Sequence, residues 1–467
     1  MPLRFIISDI SLFERPVRFA RPFRFGAVTV TATPQLFVRV EIETGGGAHA
    51  VGATAELLVP KWFDKRPQLS PEQTVADLRC SLAIARELYL ACGRLDTAFE
   101  LHAACIGAQL SACAHLDIPP LAAAYGSAEI DKAVLDAVLR AAGTDVFSGM
   151  AENIAGIDAR LTPDLSETEI TSFLASRTPL ARVAVRHTVG LDDRVEGEGG
   201  VADPNENAGA RYFKLKLSGD PEADASRLAR IGRELMRLRH DYKVTLDANE
   251  QYAELAALHD LVERLENDDS LQPISAKLLY IEQPLPRDLT RQAPLGALAG
   301  RDFIIDEADD SYDAFPEARR LGYRGISSKS CKGIYKSVLN ATRAAKWTAE
   351  GGRHFVTAED LTCQPGLALQ QDLALGALLG LDHAERNGHH YVDGFGQAPE
   401  READAFAAAH PDLYRKHPGG VHLALHDGDL LTGSLGAAGF ASSVHPDWSS
   451  LSPLQQAAPR LSKEHIA

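Results

Sequence analysis

The chain has 467 residues, 45% of them hydrophobic, and a formal net charge of −16 from 48 basic and 64 acidic residues. This hydrophobic content excludes an intrinsically disordered chain, and the length allows two or three domains. The acidic balance argues against a nucleic-acid partner, because such a partner requires a broad basic face.

The N-terminus and the cysteines indicate a cytoplasmic protein. The opening residues, MPLRFIISDI, lack the extended apolar segment of a signal peptide. None of the six cysteines forms a C-x-x-C pair, so we expect reduced thiols. The most apolar stretch, LALGALLGL, is too short to cross a bilayer, so no membrane partner is expected. We also expect a homo-oligomer.

The first third of the sequence predicts an α+β domain over residues 1–150. Residues 4–60 have the pattern of an antiparallel sheet, since LFVRVEIET alternates apolar and polar side chains and a run of three glycines follows. Residues 71–124 are rich in Ala and Leu at helical spacing. The segment SAEIDKAVLDAVLRAAG predicts an amphipathic helix with Ser127 as its cap and Gly143 as its stop.

From about residue 179, apolar strand-like runs alternate with helical patterns. The eight runs are LARVAVRHTV, RYFKLKL, KVTLD, LLYIEQP, DFIID, YRGISSK, HFVTAE and HHYVDG. Eight alternating units predict a parallel β/α barrel, which we place at residues 151–398. Asp220 is placed to cap the helix after the second run. The remaining segment, 399–467, is expected to pack back on the N-terminal domain, in part through GGVHLALHDGDLL.

A polar, glycine-rich and acidic segment at about 190–210 interrupts this rhythm and has the character of an insertion. It follows the first barrel strand, so we expect it at the mouth of the barrel. Its composition argues against a rigid packed element. A mobile lid and a solvated insertion without a role are the two alternatives.

Three acidic residues and two lysines end consecutive predicted strands at intervals of 23 to 35 residues, about one strand-and-helix unit each. They are Lys216 in FKLKL, Asp247 in VTLDANE, Glu282 in YIEQP, Asp306 in FIIDEA and Lys329 in GISSKS. Because the carboxyl ends of barrel strands meet at one mouth, we expect these side chains to lie together.

The three carboxylates have no His or Cys nearby in the pattern, which favours a hard divalent cation. Mg²⁺ is the expected ion, with Mn²⁺ as the alternative. One carboxylate at a strand end is more often a helix cap or a salt-bridge partner, but three in successive units are harder to explain that way. Asn249 shares the strand face of Asp247 and is placed to orient it.

The lysines suit proton transfer. Lys214 and Lys216 are two residues apart in a strand, so their side chains share a face. Inside a barrel, mutual repulsion and burial would lower their pKa values toward those of a general base. Two solvated lysines on an edge strand are the alternative. Lys329 is expected either to carry a second proton opposite Lys216 or to pair with a carboxylate.

Taken together, these motifs resemble the enolase superfamily, in particular the muconate-lactonizing-enzyme branch of the mandelate racemase/muconate lactonizing enzyme family. The matching elements are KLK on the second barrel strand, LDAN on the third, IEQP on the fourth, DE on the fifth and K-x-x-K-G on the sixth. The resemblance implies a (β/α)₇β TIM-type barrel, an α/β fold, under an N-terminal α+β capping domain. It also implies Mg²⁺ on Asp247, Glu282 and Asp306, with Lys216 and Lys329 as the acid/base pair.

The activity implied by this resemblance is abstraction of the α-proton of a small-molecule carboxylate through an enediolate. Two lysines favour racemisation or epimerisation of an acid or an amino-acid derivative. β-Elimination, cycloisomerisation and carboxylate binding without turnover are the alternatives. Lys214 is counted with the catalytic lysines, and Glu307, Lys332 and Glu359 are expected to contact the central residues or the substrate.

Several features depart from the family pattern. Gly333 is followed by Ile334 where a second glycine is usual. Asp393 in HHYVDG, taken as the eighth strand, has no second Asp two residues away, which argues against a dipeptide substrate. The mandelate-racemase branch needs a His on the seventh strand and an Asp on the sixth, where this chain has Glu359 and Lys329.

Two capping-domain loops are expected to set specificity, near ERPVRFARPFRFG and LLVPKWFDKRP. Arg24 and its neighbouring arginines would meet a second anionic group of the substrate or face solvent. Trp62 or Phe63 would supply an apolar wall.

Overall fold

Two sheets organise the chain, an antiparallel one built mainly from N-terminal residues and a closed parallel one. The structure is a computed structural model, and it describes residues 2–26, 28–94, 96–203, 209–239, 241–360, 364–386 and 388–455. Strands and helices are numbered in chain order. No helix of the described part is long and apolar enough to cross a membrane.

The antiparallel sheet forms where the sequence predicts it. Its strands are β1 (Phe5–Phe25), β2 (Val28–Thr44), β3 (His49–Leu57) and, from the far end of the chain, β15 (Ser452–Pro453), in the order β15-β1-β2-β3. The alternating residues of β2 are fully buried, which confirms the predicted face: Leu36, Val38, Val40 and Ile42.

The α-helices that follow β3 are α1 (Pro71–Cys92), α2 (Ala98–Ala114), α3 (Pro120–Ala142), α4 (Val146–Ala151) and α5 (Glu167–Ala175). Helix α3 packs against β2 and β3, and α1 packs against β1. Helix α3 begins at Pro120 rather than Ser127, because a proline in the first turn and the small residues after it suit a helix. It ends at Gly143 in a left-handed conformation, as predicted. A Cβ on Gly52 would lie 2.0 Å from the Ala133 carbonyl oxygen, so α3 and the sheet approach closely.

Eight parallel strands form the barrel in sequential order, and β11 pairs with β4 to close it. They are β4 (Arg182–Val189), β5 (Tyr212–Lys216), β6 (Lys243–Asp247), β7 (Leu278–Glu282), β8 (Phe303–Ile305), β9 (Gly325–Ser328), β10 (Phe355–Ala358) and β11 (His383–Glu385). The register pairs Lys216 with Asp247, and Asp247 with Glu282. These polar side chains therefore stand side by side at one rim.

Helices surround the barrel. They are α6 (Pro221–Leu238), α7 (Leu255–Asn267), α8 (Gln272–Ser275), α9 (Arg287–Thr290), α10 (Ala314–Arg320), α11 (Ile334–Ala349), α12 (Leu367–Leu379), α13 (Gly388–Tyr391) and α14 (Glu400–Ala409). As predicted, Asp220 caps α6, and its Oδ1 accepts hydrogen bonds from the amides of Glu222 and Ala223 at 3.0 and 3.1 Å.

The eighth strand was predicted wrongly. It is the three-residue β11, whereas the apolar-looking HHYVDG forms the helical turn α13. Three residues carry too little apolar periodicity to be recognised, and β11 is held by its ladder with β4. The strand therefore ends at Glu385, and Asp393 lies beyond it. The sequence at the true end, Glu385-Arg386-Asn387, also lacks a pair of aspartates.

The C-terminal segment forms a separate hairpin and also adds one strand to each of the two sheets. Strands β12 (Tyr414–His417) and β13 (Gly420–Leu423) form their own hairpin, and β14 (Asp429–Leu431) pairs with β4 of the barrel. The segment GGVHLALHDGDLL therefore does not join the antiparallel sheet, contrary to expectation, whereas β15 pairs with β1. The division of the chain at about residues 150 and 398 stays a prediction.

The described part of the insertion, 190–203, is packed rather than loose. Val195 and Val201 are 6% and 3% exposed and belong to the core around the barrel. Glu196 pairs with Arg230 of α6, which fixes the segment against that helix. The expectation that this composition disfavours packing was wrong for these residues, because two well-placed valines suffice to anchor the loop. Residues 204–208 lie outside the described part.

Candidate active site

Charged side chains from seven barrel strands converge at the carboxyl-terminal mouth. All are at most 5% exposed, and each except Lys214, which lies two residues before the end of β5, stands at or just after the end of its strand: Lys214, Lys216, Asp247, Glu282, Asp306, Lys329, Glu359 and Glu385. The structure thus brings together the five central residues of the sequence pattern. Glu385 was missed because its strand was misplaced.

Lys214 is surrounded by carboxylates. Its Nζ lies 2.8 to 2.9 Å from oxygens of Asp247, Glu282, Glu359 and Glu385. Burial alone would lower the pKa of Lys214, but these carboxylates outweigh burial and raise it well above the ordinary value. The predicted depression was therefore wrong for Lys214, because carboxylates rather than a second ammonium dominate its surroundings. A lysine held this firmly as an ammonium is a poor general base.

Lys216 and Lys329 stand at opposite ends of the three carboxylates. Lys216 Nζ donates to Asp247 Oδ2 at 2.6 Å and to Asn249 Oδ1 at 2.7 Å. Lys329 Nζ donates to Asp306 Oδ2 at 2.8 Å and lies 4.1 Å from the ring centroid of Trp62. Each lysine is thus paired with a different outer carboxylate, with Glu282 on the strand between them.

One cavity gives access to both lysines. Its lining includes Lys214, Lys216, Asn249, Lys329, Asp360 and Glu385 on the barrel side, and Phe23, Phe25, Val59 and Trp62 on the capping side. Trp62 therefore lies where the sequence placed it. For Arg24 the structure confirms the solvent-facing alternative, since strand alternation turns Phe23 and Phe25 inward and Arg24 outward, where it pairs with Asp192 of the insertion at 2.8 Å.

The carboxylates are crowded. Burial and the neighbouring charges of Asp247 and Glu359 raise the pKa of Glu282 well above its usual range. Burial would also raise the pKa of Asp306, but the ammonium groups of Lys329 and Lys332 outweigh burial and hold it well below its usual range.

A divalent cation suits this donor set. Glu282 Oε2 is buried and accepts no hydrogen bond, although Lys214 Nζ lies 2.9 Å away. A doubly charged ion would relieve the repulsion between Glu282 and Asp247. Within the described residues, no three His, Cys, Asp or Glu side chains already surround one point as a metal requires. Lysine ammonium groups instead pair with these carboxylates.

Two lysines and a glutamine hold the backbone and side chain of Asp306. Lys332 Nζ lies 3.2 Å from Asp306 Oδ1 and 3.1 Å from Asp309 Oδ2, so it contacts the central carboxylates as expected. Gln283 Oε1 accepts a hydrogen bond from the Asp306 amide at 2.8 Å. These contacts fix the outer carboxylate on the side opposite Asp247.

An arginine inside the barrel supports Glu359. Arg186 is fully buried and donates to Glu359 Oε1, which also accepts from the Tyr280 hydroxyl at 2.9 Å. Arg186 lies on β4 two residues before Thr188, which donates to Glu385 Oε1 at 2.7 Å. The sequence holds a signal for this pair, because residues two apart on a strand share a face, but RVAVRHTV was read only as an apolar run.

Lys65 joins the capping loop to the barrel. Its Nζ contacts Glu250 Oε2 at 2.8 Å and Glu307 Oε1 at 2.7 Å. Glu307 also accepts from Asn249 Nδ2 at 3.1 Å. Arg287 donates to the Phe63 carbonyl oxygen at 2.8 Å and pairs with Glu250. Glu307 and Asn249 thus connect Lys216 to the loop that carries Trp62.

No family model matches the sequence, and no curated protein matches it. Solved structures do. A mandelate racemase/muconate lactonizing protein from Herpetosiphon aurantiacus has 16% identity and a TM-score of 0.61, over 93% of this chain and 98% of that chain. A dipeptide epimerase from Cytophaga hutchinsonii, complexed with Mg and the dipeptide D-Ala-L-Val, has 14% identity and a TM-score of 0.62, over 96% and 99%.

A muconate lactonizing enzyme from Pseudomonas fluorescens, complexed with muconolactone, has 16% identity and a TM-score of 0.60, over 95% of this chain and 97% of that chain. The likeness covers nearly the whole length on both sides, and at these identities it is a likeness of fold. The chain therefore has the fold that these solved structures share, a TIM-type barrel under an N-terminal capping domain.

Proposed function

We propose that this chain is an enolase-superfamily enzyme that removes and returns the α-proton of a carboxylate substrate, and so racemises or epimerises it. The observation that carries the proposal is the pairing of Lys216 with Asp247 and of Lys329 with Asp306 in one cavity. Two lysines at opposite ends of the site, one as the neutral amine and the other as the ammonium, can serve opposite faces of one α-carbon.

Asp247, Glu282 and Asp306 would hold Mg²⁺. The ion, when bound, would supply Lewis-acid stabilisation of the negative charge that develops on the substrate carboxylate. The Mg-complexed dipeptide epimerase of the same fold supports this choice of metal. A doubly charged ion near Asp247 and Asp306 would also weaken the hold of these carboxylates on the two lysines.

The lysines would do the proton transfer. Lys216 Nζ, as the neutral amine, would accept the α-proton on one face of the substrate, and Lys329 Nζ, as the ammonium, would donate a proton to the other face; for the opposite enantiomer the two protonation states would be exchanged. Asn249 keeps Lys216 in place through its Oδ1, and the ring of Trp62 does so for Lys329. Both contacts orient the Nζ atom, which takes up a proton as the neutral amine and returns one as the ammonium.

The capping side of the cavity favours a substrate with an apolar substituent. Phe23, Phe25, Val59 and Trp62 form that wall, and no arginine is among the described residues that line the cavity. A substrate with a second anionic group would lack a guanidinium partner there. We therefore propose acids or N-acylated amino acids with aliphatic or aromatic side chains as the substrate class.

The experiment is hydrogen exchange in D₂O. The enzyme, loaded with Mg²⁺, is incubated with separate enantiomers of N-acetyl amino acids and of 2-aryl carboxylic acids. Deuterium uptake at the α-carbon is followed by mass spectrometry, and chirality by chromatography. We expect exchange with inversion for at least one apolar member, and no exchange after chelation of the metal.

The two lysine variants separate a racemase from other reactions. Lys329→Ala should abolish racemisation but leave exchange from the enantiomer whose proton Lys216 removes, and Lys216→Ala should leave exchange from the opposite enantiomer. Products that have lost water would indicate β-elimination instead of racemisation, and products with a closed ring would indicate cycloisomerisation. Wild-type rates in both variants would remove the lysines from the reaction.

A further inference from the structure

Lys214 and the proposed metal share two of their partners. Asp247 and Glu282 would bind the cation, yet both now lie within 2.9 Å of Lys214 Nζ. The same carboxylate oxygens cannot contact both an ammonium group and a divalent ion at full strength, so one of these two contacts must be weakened. Binding of the metal therefore requires that Lys214 keep other partners.

Glu359 and Glu385 are those partners. Neither is among the proposed metal ligands, and the Oε2 atom of each lies 2.8 Å from Lys214 Nζ. One oxygen of each glutamate faces Lys214, while the other is fixed by the barrel interior. For Glu359 the fixing groups are Arg186 and the hydroxyls of Tyr280 and Thr357, both at 2.9 Å.

Glu385 is fixed from the neighbouring strand. Its Oε1 accepts a hydrogen bond from the Thr188 hydroxyl at 2.7 Å, and its Oε2 accepts one from the Asp360 amide at 3.3 Å. All of these groups are buried. The two glutamates thus form a rigid pair that can retain an ammonium without moving.

We propose that Glu359 and Glu385 hold the Lys214 ammonium and so prevent it from competing with the divalent cation for Asp247 and Glu282. They are positioning residues, which act on the metal through Lys214. This inference rests on the proposed function, since it takes Asp247, Glu282 and Asp306 as the metal ligands. Arg186 contributes by keeping Glu359 aimed at Lys214.

The test is a double-mutant cycle on Mg²⁺ affinity. Isothermal titration with MgCl₂ is performed on the full chain as wild type, Glu359→Gln, Lys214→Met and the double variant. We expect Glu359→Gln to weaken Mg²⁺ binding by about tenfold or more when Lys214 is present, because the lysine then stays on the metal ligands. In the Lys214→Met background the same substitution should cost only about two- to threefold, which is the direct effect of the lost charge.

Equal losses in both backgrounds would overturn the proposal, because Glu359 would then act on the metal by charge alone. Glu43→Gln, which removes an exposed charge from β2, serves as the matched control and should leave Mg²⁺ binding unchanged. Absence of Mg²⁺ binding in the wild type would instead defeat the proposed function itself.

A crystal structure of the wild type with Mg²⁺ gives a second readout that needs no variant to fold. The proposal requires Lys214 Nζ within hydrogen-bond distance of Glu359 and Glu385 and away from the oxygens of Asp247 and Glu282 that face the metal. The proposal would be contradicted if Lys214 Nζ stayed on the metal-facing oxygens of Asp247 and Glu282, or if it lost its contacts with both Glu359 and Glu385.

Discussion

Glu250 is the residue whose charge most clearly ties the capping loop to the barrel. Lys65 contacts its Oε2, and Arg287 donates to both of its carboxylate oxygens, at 2.9 and 2.8 Å. Burial would raise the pKa of Glu250, but these two cations outweigh burial and lower it to about 2. A glutamate in an unfolded chain titrates near pH 4.3.

The sign of the resulting pH dependence follows from the lowered pKa. The stabilisation is present above about pH 4.3 and is lost as the pH falls toward 2, with a size on the order of 3 kcal/mol. We expect Glu250→Gln to lower the free energy of unfolding by about this amount at pH 7, and the difference from wild type to shrink below pH 4.3. Urea unfolding across pH 2 to 7 measures both quantities.

A difference between wild type and Glu250→Gln that stays constant down to pH 2 would show that the carboxylate is not held in its charged form by Lys65 and Arg287. Glu43→Gln, which replaces an exposed glutamate of the capping domain, is the control, and it should show no such dependence.

Residue identity alone predicted the central carboxylates but not their charge state. Asp247, Glu282 and Asp306 could be recognised because each follows a short β-type run. The raised pKa of Lys214 could not be predicted, because it depends on Glu359 and Glu385, which are 145 and 171 residues away in sequence. The only charged neighbour of Lys214 in its own strand is Lys216, and repulsion between two ammonium groups would by itself predict a lowered pKa.

At the scale of elements, apolar periodicity decides what can be predicted. Strands β4 to β10 were recognised because each carries apolar residues, which in β5 to β10 are followed by a polar residue at or just after the strand's end. Strand β11 has only His383, Ala384 and Glu385, and the ladder with β4 rather than local composition makes it a strand. HHYVDG has strand-like composition, but it begins in the helical turn α13, which comes after the last barrel strand.

The insertion after β4 makes a testable contribution to stability. Val195 and Val201 pack in the barrel core, so Val195→Ala and Val201→Ala should each lower the free energy of unfolding by about 1–2 kcal/mol. Glu198→Ala, exposed in the same loop, should stay within about 0.5 kcal/mol of wild type. Chemical unfolding of the three variants decides the matter, and wild-type stability in both valine variants would mean that the loop is not packed in solution.

At the scale of the whole molecule, the capping sheet and the barrel complete one cavity. Phe23 and Phe25 come from β1 and Trp62 from the loop after β3, while the lysines and carboxylates come from the barrel. Contacts between Lys65 and Glu307, 242 residues apart, hold these parts together. Contacts between residues so far apart produce no recognisable spacing pattern in the sequence, so the aromatic wall could be predicted only in part, through Trp62.

Asp247, Glu282 and Asp306 are proposed to form one divalent-cation site, on which the proposed reaction depends. Isothermal titration with MgCl₂ of the wild type and Asp247→Asn tests it, with Asp427→Asn, 92% exposed, as the matched control and thermal melts to verify folding. We expect one Mg²⁺ per chain in the wild type and the control. In Asp247→Asn we expect a loss of Mg²⁺ affinity of more than about 100-fold, since loss of an outer partner alone costs about 10- to 100-fold. Equal Mg²⁺ affinity in the wild type and Asp247→Asn, or no binding of Mg²⁺ or Mn²⁺ by the wild type, would contradict it.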